Sequence, residues 1–133
     1  MNRPWKTGSG ILKSYKVQFG NSFSHSVKKL EKRYPHVKDD IHIAIGLLAK
    51  RPKSGAIIRG SSGLRKLRVR NSDIKRGKRA GYRLIYCVKD LPEPKIFILL
   101  LYSKSDKANA TQEELKELLS ELDEIIGDNA RHS

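Results

Sequence analysis

Residues 64–83 read LRKLRVRNSDIKRGKRAGYR, with nine Lys or Arg side chains and a single acid, Asp73. Like charges this dense repel one another, so the chain needs a reason to hold them together. Three kinds of chemistry compete for such a stretch. A metal-dependent nuclease needs clustered carboxylates or histidines. Here Asp39 and Asp40 sit where a helix start favours acids, and His25, His36, His42 and His132 lack ligand spacing, so neither metal nor other cofactor is expected. A passive nucleic-acid grip uses Lys and Arg to neutralise phosphates. In that reading Tyr82, Tyr86 and Tyr102 either stack on bases or pack in the core. Metal-free RNA cleavage needs a base for the 2′-OH proton, cations to stabilise a pentacoordinate phosphorane, and an acid for the leaving 5′-oxygen. A lysine crowded by cations has a lowered pKa and can be base or acid, while arginine holds the added negative charge. Composition leaves the second and third readings open.

Strand alternation divides the basic stretch. In 64–70, Lys66, Arg68 and Arg70 fall on one face, and Arg65, Leu67 and Val69 on the other. From residue 82 onward, Tyr82, Leu84 and Tyr86 share one face and Arg83, Ile85 and Cys87 the other. A sheet covered by helices on one side would leave a row of cations open on the other. Between the strands, residues 71–80 form a basic loop with Gly77 as its turn, and Lys75, Arg76, Lys78 and Arg79 are suited to holding phosphates.

The elements that must position these residues follow from periodicity. Phe23, Val27, Leu30 and Tyr34 make one helix face, ended by Pro35. Val37, Ile41, Ala44, Ile45 and Leu48 make a second, with acids in its first turns and Lys50 and Arg51 in its last. These two predict a helical hairpin. Residues 14–19 alternate weakly as a first strand, and 54–63 read as a connection punctuated by Gly and Ser. Strands are predicted at 64–70, 82–89 and 95–103, the last two joined by DLPEP as an antiparallel pair. A final helix is predicted over 111–126, with Thr111 and Glu114 as a capping box. The fold class is α+β: a helical hairpin on a small, mainly antiparallel sheet, then a C-terminal helix. The expected division is a flexible extension at 1–13, one domain at 14–126 and a tail at 127–133.

The whole chain, 133 residues with a net charge of +14, calls for an acidic partner. Residues 111–133 run the other way, with seven acids against Lys116 and Arg131. The lone Cys87 allows no internal disulfide and suggests a cytoplasmic protein. The longest apolar run, IFILLLY at 96–102, is strand-sized, so no membrane span is expected.

The order GLRKLRV, RGKRAGYRLIYCV, IFILLLYSKSDKAN and then a helix rich in Glu and Leu resembles the RelE/ParE toxin superfamily, nearest its RelE and HigB-like branch. The upstream FSHSVKKLEKRYPHVKDDIHIAIGLLAKRPKSGAII fits that family's helical hairpin, and the match covers about residues 15–126. The resemblance implies a type II toxin that cleaves mRNA in the ribosomal A site, using basic residues rather than a metal. It implies neutralisation by a cognate acidic antitoxin, in a toxin–antitoxin hetero-oligomer. Carried over by position, Lys66 and Arg68 match the basic pair of the first meander strand. Arg83 matches the arginine that stabilises the transition state, and Lys104 and Lys107 match the basic patch after the last strand. Lys66, Arg68, Arg83 and Lys104 are thus the candidate catalytic residues. Arg65, Arg70, Lys75, Arg76, Lys78, Arg79, Tyr82, Tyr102 and Lys107 are the candidates for RNA binding. The chain departs from the pattern in two places. Its last helix carries no tyrosine, which leaves Lys66 as the candidate general base, and Ser105 stands where a basic residue is common. ParE-like members share the fold but poison DNA gyrase. They and a non-catalytic nucleic-acid-binding module are the alternatives.

Overall fold

The computed structural model describes residues 14–75 and 80–132. The expected extension at 1–13, and Arg76, Lys78 and Arg79 of the basic loop, lie outside the described residues.

The elements run β1 (Lys16–Phe19), α1 (Asn21–Glu31), α2 (Val37–Lys50), β2 (Ala56–Ile57), β3 (Arg65–Val69), β4 (Tyr82–Lys89), β5 (Lys95–Ser103) and α3 (Gln112–Arg131). Among the described residues, five strands form one sheet in the order β1-β5-β4-β3-β2. The pairs β2–β3, β3–β4 and β4–β5 are antiparallel, and β1 lies parallel to β5. Among the described residues no helix is long and apolar enough to cross a membrane.

The periodicity of the helices explains their placement. Phe23, Val27 and Leu30 of α1, with Val37, Ile41, Ala44 and Leu48 of α2, are buried against Leu84, Tyr86 and Ile98 on one face of the sheet. Leu115, Leu118 and Leu122 of α3 pack on the opposite face against Ile85, Cys87, Phe97 and Leu99. Each such side chain, fully buried, contributes roughly 1.5–3 kcal/mol. Because β4 is central and covered on both sides, every residue from Tyr82 to Cys87 is buried.

Three expectations need correction. Helices cover both faces of the sheet, so the cationic face is not open along its length: α3 covers its apolar part. The last helix does not stop at 126, and residues 127–131 are helical rather than a tail. Its apolar stripe ends at Ile126, but Asn129 continues the contact by donating an amide hydrogen bond to Gln18 of β1 at 2.9 Å, and Arg131 pairs with Asp128 one turn back. The connection at 54–63 contains the short strand β2, held against β3 by backbone pairing of Ala56 with Lys66 and Ile57 with Arg65.

Candidate functional site

Register builds the site. Arg68 of β3 lies directly opposite Arg83 of β4, Arg83 opposite Tyr102 of β5, and Lys66 opposite Ile85. Cross-strand partners share a face, so Lys66, Arg68 and Arg83 all lie on the α3 side of the sheet. Gly81, just before β4, lets the strands close here: a β-carbon on it would run into the Val69 carbonyl oxygen. The same glycine's carbonyl accepts the Lys104 N–H at 2.9 Å, fixing the chain as it leaves β5. The β5–α3 connection then folds back. Lys104 donates through Nζ to the Ala108 carbonyl at 3.3 Å, and Lys66 Nζ donates to Asn109 Oδ1 at 3.0 Å. The connection ends firmly, because Thr111 and Glu114 form the capping box expected from the sequence.

The electrostatics of the cluster are unusual. The Lys66 ammonium is driven below the ordinary lysine range, first by burial and then by Arg83, Lys104 and Arg68. Arg83 is only 5% exposed, and its Nη1 donates to the Tyr82 carbonyl at 3.1 Å. Burial and then Arg68 disfavour its charged form, opposed by Tyr102. Directly opposed like charges such as Arg68 and Arg83 destabilise a sheet. A multiply charged anion bound between them would reverse that sign. Lys107 lies beside this group: it pairs with Glu114, and its Nζ sits 5.1 Å above the Tyr102 ring.

Several residues read as RNA-binding lie elsewhere. Arg65 is on the opposite face, where its Nη1 donates to the carbonyls of Gly55 and Lys53 at 2.7 and 3.2 Å and clamps the turn before β2. Tyr82 is fully buried, edge-on to Tyr34 with ring centroids 5.8 Å apart, and cannot stack on a base. Tyr86 is also core: its hydroxyl accepts the Gly55 N–H and donates to the Pro52 carbonyl, both at 2.8 Å. Tyr102 is on the cationic face but 4% exposed, with Lys107 above its ring, so it lines the site rather than offering a stacking platform. Arg70 is exposed beyond the end of β3, and Lys75 is exposed where the basic loop begins.

Other residues that hold the site were missed by the sequence reading. Asn109 holds Lys66 across 43 positions, a contact no local pattern announces. Two residues near the start of α2 anchor the root of the basic loop. Asp40 accepts the N–H and hydroxyl of Ser72 at 3.0 and 3.1 Å, and His36 meets Asp73 through both its backbone N–H and Nδ1. Asp40 did have a signal: it falls on the buried stripe of α2, one turn from Val37 and Ala44, where an acid needs a partner.

A five-stranded sheet with two helices on one face, a third on the other and a cationic cluster across its central strands defines a mixed α+β class of small basic protein. No protein-family model matches the chain. Among solved structures it is similar to the E. coli toxin RelE in the free state, in a variant with two arginines changed to alanine. The two share 20% identity at a TM-score of 0.50, with 81% of this chain and 93% of that chain covered. The chain therefore has a RelE-like fold.

Proposed function

We propose that this protein is the toxin of a type II toxin–antitoxin system and a metal-free endoribonuclease, of the HigB-like branch, that cleaves mRNA on the ribosome in the cytoplasm. One observation carries the reading: Lys66, with its ammonium disfavoured by burial, shares a sheet face with Arg83 and Arg68 and feels the charge of Lys104 as well as theirs. The RelE-like fold supports it.

In this reading Lys66, as the free amine, takes the proton of the 2′-OH. The 2′-oxygen attacks the adjacent phosphorus while Arg83, from the floor of the site, and exposed Arg68 hold the non-bridging oxygens as negative charge builds on them. The bond to the 5′-oxygen breaks, and Lys104 supplies the proton that oxygen takes. The products are a 2′,3′-cyclic phosphate and a 5′-hydroxyl. Arg70, Lys75 and Lys107 hold flanking phosphates, and an acidic antitoxin neutralises the cluster in a hetero-oligomer.

The test is induction of the protein and of its Arg83→Ala variant in growing cells, with RNA ends mapped with and without active translation. The expected outcome is growth arrest with translation-dependent cuts, both lost in a variant whose thermal melt still shows a folded protein. Arrest with intact mRNA and damaged or altered DNA supercoiling would instead identify a gyrase poison. RNA binding without cuts or arrest would identify a passive module.

A further inference from the structure

The far end of the sheet carries a second group of cations. Lys89 lies roughly 20 Å along β4 from Arg83. Register sets it opposite Lys95 of β5, and Lys95 opposite Lys16 of β1. All three lysines therefore stand on the α3 face, in line across adjacent strands. One carboxylate serves the row: Glu93 lies 3.6 Å from Lys16 and 3.4 Å from Lys95. Asp90, in the same hairpin turn, is taken by Tyr15 and Lys53. Among the described residues Lys89 has no carboxylate partner, although it is half-buried.

Beside this row the fold leaves a cavity of about 440 Å³. It arises where α3 runs out of large apolar side chains. The stripe of that helix stops at Ile126, the helix continues to Arg131, and the residues it then brings to the cavity are Asn129 and Ala130. Neither has the bulk of the leucines before it, so a gap remains between the helix and the β4–β5 hairpin. Buried Phe97 forms the floor, and Leu91, 83% exposed, and Ile126 stand at its sides. Lys89 and Lys95 line it as well.

We propose that this cavity binds a small amphipathic carboxylate, a medium-chain acid with one negative charge. The apolar body covers Phe97, Ile126 and Leu91, and the carboxylate meets the Lys89 ammonium, the cation that Glu93 leaves unpaired. The volume lies in the range of small-ligand sites, which pair apolar walls with a few placed polar groups. A single unpaired cation against apolar walls suits one charge rather than a polyanion. Binding here involves no RNA chemistry and stands apart from the function proposed above.

The test titrates octanoate, octan-1-ol and acetate into the full chain, followed by backbone amide chemical shifts. Octanoate is expected to bind at least about tenfold more tightly than octan-1-ol, as for one hydrogen bond to a charged group. Acetate should bind more weakly still. Shifts should centre on 89–97 and 126–131. Lys89→Met should bring octanoate down to the level of octan-1-ol, and Ala130→Phe, which fills the cavity, should abolish binding of both in a chain whose thermal melt shows it folded. Acetate binding as well as octanoate, or shifts centred on Lys66 and Arg83, would mean attraction to net charge alone and would overturn the proposal. So would octanoate binding that both substitutions leave unchanged, or a short RNA that shifts Lys16, Lys89 and Lys95 where octanoate shifts nothing.

Discussion

At the scale of single residues, the account turns on Lys66. Its disfavoured ammonium makes the free amine available at lower pH than for an ordinary lysine. The sign follows directly: deprotonation increases with pH, so single-turnover cleavage should rise with pH through an inflection below the usual lysine range. Lys66→Arg keeps a cation that does not titrate in this range. That variant should lose the inflection and at least about a hundredfold in rate, in keeping with the loss of a general base. An unchanged profile would remove Lys66 from the role. Alternation in the sequence was enough to put Lys66 and Arg68 together, because a period of two needs no tertiary information. It separated Arg65 from them for the same reason, although Arg65 still looked like a phosphate ligand until its guanidinium was seen clamping Gly55 and Lys53. Asn109 was illegible, since its contact with Lys66 depends on how the β5–α3 connection folds back.

At the scale of elements, two devices hold the site. The first is Gly81, where β3 and β4 converge with no room for a side chain. Gly81→Ala should destabilise the protein by about 1–3 kcal/mol, the usual range for overpacking, seen as a lower denaturant midpoint. It should also weaken activity, by prising Arg83 away from Arg68. The second device is the ion pair of His36 with Asp73. The histidine is raised above its ordinary value by its hydrogen bond to Asp73, then by that carboxylate's charge, with smaller help from Asp39 and Asp40. A raised histidine stabilises the fold fully below its unfolded pKa, about 6.5, and the contribution is lost as pH rises through the folded value. Amide exchange at 72–75 should therefore quicken from about pH 6 to pH 8, beyond the intrinsic base catalysis of exchange, and Asp73→Asn should abolish that excess. The longer elements were legible because their periods repeat. The two-residue strand β2 was not, being too short to show a period, and the end of α3 was not, because Asn129 is held by Gln18 from the other end of the chain.

At the scale of the molecule, the charge is the governing fact. A chain of net +14, with a cationic cluster on β3, on β4 and in the connection after β5, should bind an acidic partner with strong dependence on ionic strength. Raising salt from about 0.1 to 1 M shortens the screening length from about 10 to about 3 Å. Affinity for the proposed antitoxin should fall by orders of magnitude over that range; affinity indifferent to salt would mean that apolar contacts dominate. The sequence showed an apolar stripe on α3 but not whether the sheet or a partner covers it, nor which face of the sheet receives it, because either face offered alternating apolar residues. Its position beside the cluster makes the β5–α3 connection part of the site.

The central claim is that the cations of β3, of β4 and of the connection after β5 cut RNA. Its most direct test is single-turnover cleavage of a ribosome-bound mRNA by the purified protein and by Arg83→Ala, with the chemistry of both new ends determined. The account expects a 2′,3′-cyclic phosphate and a 5′-hydroxyl from the unaltered protein, and a loss of at least about a hundredfold in rate for the variant, as for removal of a transition-state donor. Full cleavage by a folded Arg83→Ala protein, or ends of any other chemistry, would contradict it.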